Sequence, residues 1–228
     1  MKRGTSERAA RRRAESPKGG DRPDPARRAL LVIGALALGA CALARQAPIK
    51  QTYLLDPPAP PAAAKPQSAS VRVGIVNVAA PFRGRGLVFR ASELQYETDY
   101  YEEFLIPPST MLTELTSRAL ERSKTFARVV PPGSGGSSDW ELNGFVSALF
   151  VDTRNNTRPV AEIAISYYLF ASDRTSEMPA WTRDYQKRTP VSAQTPQAYA
   201  AALNTALGEI LTELSRDLAA AELKKSAN

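Results

Sequence analysis

The chain has 228 residues, with 30 Lys and Arg against 23 Asp and Glu, a single Cys and no His. One cysteine excludes an intramolecular disulfide framework and any multi-cysteine metal site. The lack of histidine removes the usual general base of Ser and Cys triads and the commonest zinc ligand, so an enzyme would have only carboxylate or lysine chemistry.

The first feature along the chain is a short apolar run that ends at the cysteine. Arg27 and Arg28 precede the run ALLVIGALALGA at 29–40, and Cys41 follows it. Such a run would span about 18 Å as a helix, too short for the ~30 Å hydrocarbon core of a bilayer. A basic flank, a short apolar core and small residues at its end are the parts of a secretory signal. We therefore predict that residues 1–40 are a leader containing a signal peptide.

The end of this run, Leu38-Gly39-Ala40-Cys41, resembles the bacterial lipobox. In a lipobox the cysteine sulfur receives a diacylglyceryl group, and cleavage then makes that cysteine the N-terminus. Two simpler interpretations are a plain signal peptide cut near Ala40 and a buried helix with an inert thiol. The lipobox is favoured because the charge, the length of the run, the small residues and the unique cysteine agree. We predict lipidation at Cys41, with acyl chains holding the N-terminus in a membrane.

The excess positive charge belongs mostly to the leader. Residues 1–40 hold ten of the 30 basic and four of the 23 acidic residues, which leaves 20 basic and 19 acidic residues, a net charge of +1. Binding to nucleic acid needs a basic footprint on the mature domain. We therefore expect no nucleic-acid partner.

A lipid-anchored tether and a proline-rich spacer are predicted at 41–70. QTYLLD at 51–56 is a brief apolar stretch that could pair as an edge strand. PPAPPAAAKP at 57–66 cannot form a helix or a central strand, because proline lacks a backbone donor and holds φ at roughly −65°. As polyproline II, at roughly 3 Å per residue, it would extend about 30 Å. A single globular periplasmic domain, long enough to bury a core, is predicted at 71–228.

The domain is predicted to begin with two strands and a helix. Apolar residues alternate at 71–76 and again at 87–91, as in half-buried strands. The segment 107–126 opens with prolines, offers Ser109 or Thr110 as the N-cap, and carries an apolar stripe at helical spacing.

Four further strands are predicted after this helix. ARVV at 127–130 is short, whereas 140–151 is long and its apolar residues share one parity. Turn residues at 152–159 lead into a returning strand at 163–169. The segment 180–189 alternates aromatic and charged residues, which suits a more exposed strand.

The last predicted element is a long helix. Thr195 and Pro196 form an N-cap and first-turn pair, and a leucine-rich stripe runs from 203 to 218. The predicted order is β-β-α-β-β-β-β-α. This order indicates an α+β fold, with a mainly antiparallel or mixed sheet on which both amphipathic helices pack.

The acidic stretch ELQYETDYYEE at 93–103 is the main candidate for chemistry. Two carboxylates at a suitable separation can hydrolyse glycosides, and Glu97 and Glu102 would be such a pair. Nothing in the spacing fixes them around a substrate, and the interleaved tyrosines favour a solvated strand end and loop. The stretch lacks the Asp-x-Asp-x-Asp-Gly pattern of a calcium loop. We expect no catalytic site, no metal and no cofactor.

Aromatic residues at the end of this stretch offer a candidate contact surface. Tyr100, Tyr101 and Phe104 stand just before Pro107 and Pro108. Such side chains can contact a protein or a lipid, although residues of this kind more often pack the loop that leads into a helix.

The pattern after the lipobox resembles the ABC-type transport auxiliary lipoproteins, the group that includes the lipoprotein of the paraquat-inducible system. Tyr53-Leu54-Leu55 and a proline-rich gap are followed by VRVGIVNV, LVFR and YYEEFLIPPSTML, which leads into a helix. In that family a Tyr and an Arg precede the helix and an aromatic-x-x-Pro turn enters it, as Arg90 and Phe104-Leu105-Ile106-Pro107 would do here. The resemblance covers essentially 41–223. The candidate partner-binding residues are Arg90, Tyr100, Tyr101 and Phe104.

The resemblance implies a function. Members are periplasmic domains held by lipid at the outer membrane, and they accompany an ABC transporter and an MCE-domain protein that carry lipids across the bacterial envelope. Ala42, rather than Asp, after the cysteine also resembles lipoproteins passed to the outer membrane. We expect a non-enzymatic auxiliary or docking subunit. Two alternatives stay open: an envelope glycan hydrolase using carboxylates, and a lipoprotein adaptor for cell-wall synthesis or outer-membrane assembly.

Overall fold

The computed structural model of the chain describes residues 49–173 and 177–223. The predicted leader and Cys41 lie outside these residues, as does the first part of the predicted tether. From residue 49 onward the described chain belongs to one compact unit. Neither helix in these two ranges is both long enough and apolar enough to span a bilayer.

Eight strands of the described chain form one open mixed sheet. The strands are β1 Gln51–Tyr53, β2 Gln67–Val78, β3 Gly86–Arg90, β4 Tyr96–Phe104, β5 Phe126–Val130, β6 Trp140–Asp152, β7 Val160–Ala171 and β8 Trp181–Pro190. The helices are α1 Pro108–Arg122 and α2 Pro196–Ala220, and a short 3-10 turn spans Ala80–Phe82.

Strand β6 lies at the centre of the sheet. It runs parallel to β2 over its first half, meets β3 in parallel at its end, and pairs antiparallel with β7 along its length. Strand β5 extends the sheet beside β2, and β8 extends it beside β7. On the remaining side β4 follows β3, and β1 lies parallel to β4 at the edge.

The predicted α+β class, with a mixed sheet and two packed helices, is confirmed. The observed order is β-β-β-β-α-β-β-β-β-α, which has two strands more than the predicted order. One is β1, the stretch that could pair as an edge strand. The other is β4, where a strand forms through most of the acidic stretch predicted to be a strand end and loop.

The core lies between the helices and one face of the sheet. Helix α1 packs on β2 and β5, and α2 packs on β7 and β8. Burying one aliphatic side chain contributes about 1.5–3 kcal/mol, so the apolar stripes of α2 and β7 fix which face turns inward. The stripe residues, all buried, are Ile163, Ile165, Tyr167, Leu169, Leu203, Leu207, Ile210, Leu214 and Leu218.

The single parity predicted for the long strand β6 is wrong in its second half. The register with β7 shifts between Val146 and Ala148, where one extra residue forms a β-bulge. Because a shift of one residue moves every later side chain to the other face, Leu149 turns into the core. Phe150 then stacks on Phe82, with ring centroids 5.7 Å apart.

Neither Ser109 nor Thr110, the two predicted N-cap residues, caps the first helix. The N-cap is Pro107, which makes no side-chain capping bond. Ser109 Oγ donates to the carbonyl of Val76 at 2.6 Å, and the backbone N–H of Val76 donates to Thr113 Oγ1 at 2.9 Å. Strand β5 pairs with β2 only as far as Arg72. The helix hydroxyls therefore satisfy the β2 backbone beyond that point.

The described part of the predicted spacer lies against the domain and does not extend away from it. Leu55 belongs to the core, and the backbone N–H of Ala63 donates to the carbonyl of Ser123 at 2.7 Å. The prolines at 57–60 lie beside Leu115 of α1 and Leu211 of α2. Proline needs no backbone partner for its missing N–H, so this segment can cover the groove between the helices without unsatisfied donors.

Candidate contact surface on the N-terminal edge of the sheet

A large bulge in β4 shapes this edge of the sheet. Between the pairs Val88–Thr98 and Gly86–Glu103, β3 advances two residues while β4 advances five. Asp99 Oδ1 stabilises the bulge, because it accepts hydrogen bonds from the backbone N–H groups of Tyr101, at 2.7 Å, and Glu102, at 3.0 Å. The extra residues of β4 therefore project from the ladder.

Two tyrosines occupy the bulge and are open to solvent. Tyr100 is 70% exposed and Tyr101 is 40% exposed. Their rings meet edge to face, with centroids 5.1 Å apart, a geometry that is favourable for aromatic pairs. Lys50 Nζ lies 4.3 Å from the Tyr100 ring centroid and 3.6 Å from a carboxylate oxygen of Glu103.

The surface continues from the tyrosines to the end of β4. Arg85 forms an ion pair with Glu103 and donates to the carbonyl of Leu105 at 3.2 Å. Leu105 and Ile49 expose large apolar side chains. We call the exposed group the aromatic strip, and it consists of Ile49, Lys50, Tyr100, Tyr101 and Leu105.

The strip depends on a glycine, and one substitution tests this. A Cβ added at Gly86 would stand 2.5 Å from the backbone oxygen of Asp99, and a backbone atom cannot move aside as a side-chain end can. We expect Gly86→Ala to lower the free energy of unfolding by about 1–3 kcal/mol, measured by urea denaturation. The control is Gly84→Ala, whose added Cβ would meet nothing within 4 Å; we expect a change within about 0.5 kcal/mol. Equal stability of the two variants would contradict this account.

The family is decided by a match over most of the domain. The model of the ABC-type transport auxiliary lipoprotein component matches residues 53–215. The chain belongs to this family. The predicted resemblance is thereby confirmed, and the match includes β4 and the aromatic strip except for its first two residues. No curated protein matches the chain.

Two solved structures share the fold of this family member. A Xanthomonas campestris protein of the DUF330 family has 24% sequence identity and a TM-score of 0.65. The match covers 72% of this chain and 92% of the Xanthomonas chain. An uncharacterised protein has 14% identity and a TM-score of 0.55, covering 75% of this chain and 99% of its own. At these identities the likeness concerns the fold alone.

The four predicted partner-binding residues do not form one surface in this auxiliary lipoprotein. Tyr100 and Tyr101 lie together in the strip, whereas Phe104 is only 2% exposed and belongs to the core beneath it. Arg90 pairs with Tyr96, at the other end of the two strands. About three residues of β3, or ~10 Å, separate Arg90 from the bulge.

Arg90 takes part in an ion network that sequence reasoning missed. It donates to the carbonyl of Glu93 at 3.0 Å, and Arg154 reaches the Glu93 carboxylate at 2.8 Å. Arg154 also bonds the buried Asp152 at 2.7 Å, and this hydrogen bond is the main cause that lowers the pKa of Asp152. The network joins the loop between β3 and β4 to the turn between β6 and β7, and its link from Arg154 to Glu93 is too distant in sequence for spacing to predict.

The two carboxylates weighed for hydrolysis have separate partners. Glu102 accepts a hydrogen bond from the Tyr53 hydroxyl at 2.7 Å. Burial, together with this bond and the nearby negative charge, raises the pKa of Tyr53 to about 12. Glu97 is exposed and accepts from Gln95 at 2.8 Å. Within 49–173 and 177–223, no group of three or more potential ligand residues could hold a metal ion.

Proposed function

We propose that this chain is a non-enzymatic outer-membrane lipoprotein that serves as an auxiliary docking subunit of an ABC transporter and MCE lipid-transport system. The observation that carries the proposal is the family match over 53–215, in a family described as a transport auxiliary lipoprotein component. The lipobox-like LGAC that ends at Cys41 supplies the lipoprotein feature in this chain.

The anchor in this proposal is Cys41. A single acyl chain binds a membrane only marginally, whereas two or more chains anchor a protein stably. The diacylglyceryl group on the sulfur, with Ala42 as the following residue, would keep the chain at the outer membrane with its domain in the periplasm. Cleavage before Cys41 would also remove the basic leader, and the remaining chain would be close to neutral.

The docking role uses proximity rather than chemistry. Anchoring raises the effective concentration of the domain near other envelope components, to about millimolar for a short flexible linker, so weak contacts suffice. We propose that Tyr100 and Tyr101 form the contact surface of the domain within the envelope, while Phe104 supports their strand from the core and Arg90 fixes the neighbouring turn. The lack of histidine and the use of Glu102 as the acceptor for Tyr53 support a role without catalysis.

The anchor is tested by Cys41→Ser in cells. We expect the variant to leave the membrane fraction and to lose lipid-transport function, because the hydroxyl cannot receive the thioether-linked diacylglyceryl group. Fractionation, with intact-mass analysis of the mature protein, provides the measurement. The matched control is Ala44→Ser, which changes a residue of the same segment outside the lipobox and should remain acylated and membrane-bound.

Two results would contradict the proposal. One is a Cys41→Ser variant that stays membrane-bound and fully functional. The other concerns the partners: crosslinking of the wild type in intact cells should capture an MCE-domain protein or ABC transporter subunits. Capture of cell-wall synthases or outer-membrane assembly proteins instead would favour the adaptor alternative.

A further inference from the structure

We propose that the aromatic strip rests on the surface of the lipid bilayer to which the chain is anchored. This inference rests on the proposed function, because it takes the anchor at residue 41 as its starting point, and it assigns a lipid surface as the contact made by Tyr100 and Tyr101. The strip would then fix the orientation of the domain relative to the membrane.

The position of the strip relative to the anchor is the first argument. Cys41 precedes Ile49 by eight residues, which span at most about 28 Å fully extended and roughly 16 Å as a flexible chain. Ile49 and Lys50 are themselves part of the strip. The strip is therefore the part of the domain that the tether brings nearest to the bilayer.

The side-chain chemistry of the strip is the second argument. Tyrosine is enriched where membranes meet water, because its ring is apolar and its hydroxyl is polar. Lysine and arginine stems cover apolar surface while their charges stay in water, and Lys50 and Arg85 flank the tyrosines and Leu105 in this way. Both cations pair with Glu103, so these three groups leave one net positive charge beside the apolar and dipolar contacts that the strip offers to headgroups.

A second exposed apolar pair serves as an internal reference. Ile75 is 65% exposed and Phe145 is 42% exposed, close to the values of Tyr100 and Tyr101. They lie on the neighbouring strands β2 and β6. Strand β6 is the third strand from β1 in the sheet, about 14 Å away at the usual strand spacing, so the tether does not bring this pair to the bilayer first.

Hydroxyl-radical footprinting of the full mature protein on vesicles tests the inference. The vesicles contain phosphatidylethanolamine and phosphatidylglycerol, and the Cys41→Ser protein, mixed with the same vesicles, provides the unanchored reference. We expect oxidation of Tyr100, Tyr101 and Leu105 to fall roughly threefold on anchoring, as expected for side chains that become seated in the headgroup region. Oxidation of Ile75 and Phe145 should stay unchanged.

Matched double variants separate lipid contact from general crowding. In Y100S/Y101S the protection of Leu105 should be lost, whereas I75S/F145S should keep it. All four positions are exposed, so both variants are expected to fold, and circular dichroism checks this. Equal oxidation of the strip in anchored and unanchored protein would overturn the inference. Protection that appears only after envelope proteins are added would also overturn it, because the strip would then be a protein-binding surface.

Failure of the anchor can be told apart from failure of the strip. If the mass of the mature protein from cells shows an unmodified Cys41 thiol, the anchoring proposal is wrong. That thiol can then be coupled to a maleimide lipid in the vesicles, and the same footprint is measured on the chemically anchored chain. Protection of the strip in that sample supports its affinity for lipid, and the absence of protection refutes it.

Discussion

Replacing Trp140 with alanine is expected to lower the free energy of unfolding by about 3–5 kcal/mol. Trp140 opens the central strand β6, pairs with Val71 on one side and Ala171 on the other, and is almost fully buried. Removing its indole would leave a cavity at the junction of β2, β6 and β7 that the surrounding strands cannot close. Urea denaturation followed by circular dichroism measures the loss.

The other tryptophan provides the matched control. Trp181 begins the edge strand β8, pairs only with Leu169 of β7 and is half-buried. We expect Trp181→Ala to lower the free energy of unfolding by about 1 kcal/mol, near the average for single substitutions. A Trp140→Ala variant that is no less stable than Trp181→Ala would show that the core is not organised around the start of β6.

The second large effect is a loss of stability in alkali that depends on Tyr167. Its hydroxyl lies 2.9 Å from Thr116 Oγ1 in the core, and Thr116 donates its own proton to the carbonyl of Leu112, so Tyr167 is the donor. Burial raises the pKa of Tyr167 from 10.0 to about 12. Because the neutral form is favoured in the folded state, its contribution is complete below pH 10 and is lost as the pH rises towards 12.

A comparison of the wild type with Tyr167→Phe isolates this contribution. At pH 7 the variant should be less stable by about 1 kcal/mol, the usual net value of a buried hydrogen bond. Between pH 10 and 12 the wild type should lose on the order of 2–3 kcal/mol that the variant does not lose, so the order of stabilities should reverse. Denaturation curves at a series of pH values measure both. Parallel pH profiles for the two proteins would contradict the assignment.

The Tyr167→Phe variant should still lose some stability in alkali. Burial, together with the charge and hydrogen bond of Asp217, raises the pKa of Tyr185 as well. Tyr185 lies on β8 and donates to Asp217 of α2 at 3.1 Å. The sign is the same as for Tyr167, so ionisation of Tyr185 would weaken the contact between β8 and α2 at high pH.

Elements whose pattern is local were predictable from the sequence. The leucine stripe of α2 and the cap formed by Thr195, which accepts from the backbone N–H of Ala198 at 3.3 Å, lie where they were predicted. The pairing of β6 with β7 also follows from alternation around one turn. In each case the residues that decide the structure are neighbours in sequence or face one another across a short connection.

Elements decided by distant partners were not predictable in the same way. Ser109 has the chemistry of an N-cap, but the unpaired backbone of β2, more than thirty residues earlier, is a stronger partner for its hydroxyl. Strand β4 has the composition of a solvated loop, and it becomes a strand because β3 and β1 pair on its two sides. The bulge that exposes Tyr100 depends on Gly86 of β3, which the sequence of β4 alone does not reveal.

The parallel pairing of β6 with β2 has a consequence for the timing of folding. The contact of Val71 with Trp140 closes a loop of about seventy residues, and such distant pairings carry a large entropic cost and slow the search for the native state. A polypeptide that emerges from its N-terminus first cannot assemble this sheet until its middle strand has appeared. Late assembly would keep the chain unfolded during the export to the periplasm that we propose, when it would have to pass through a narrow channel.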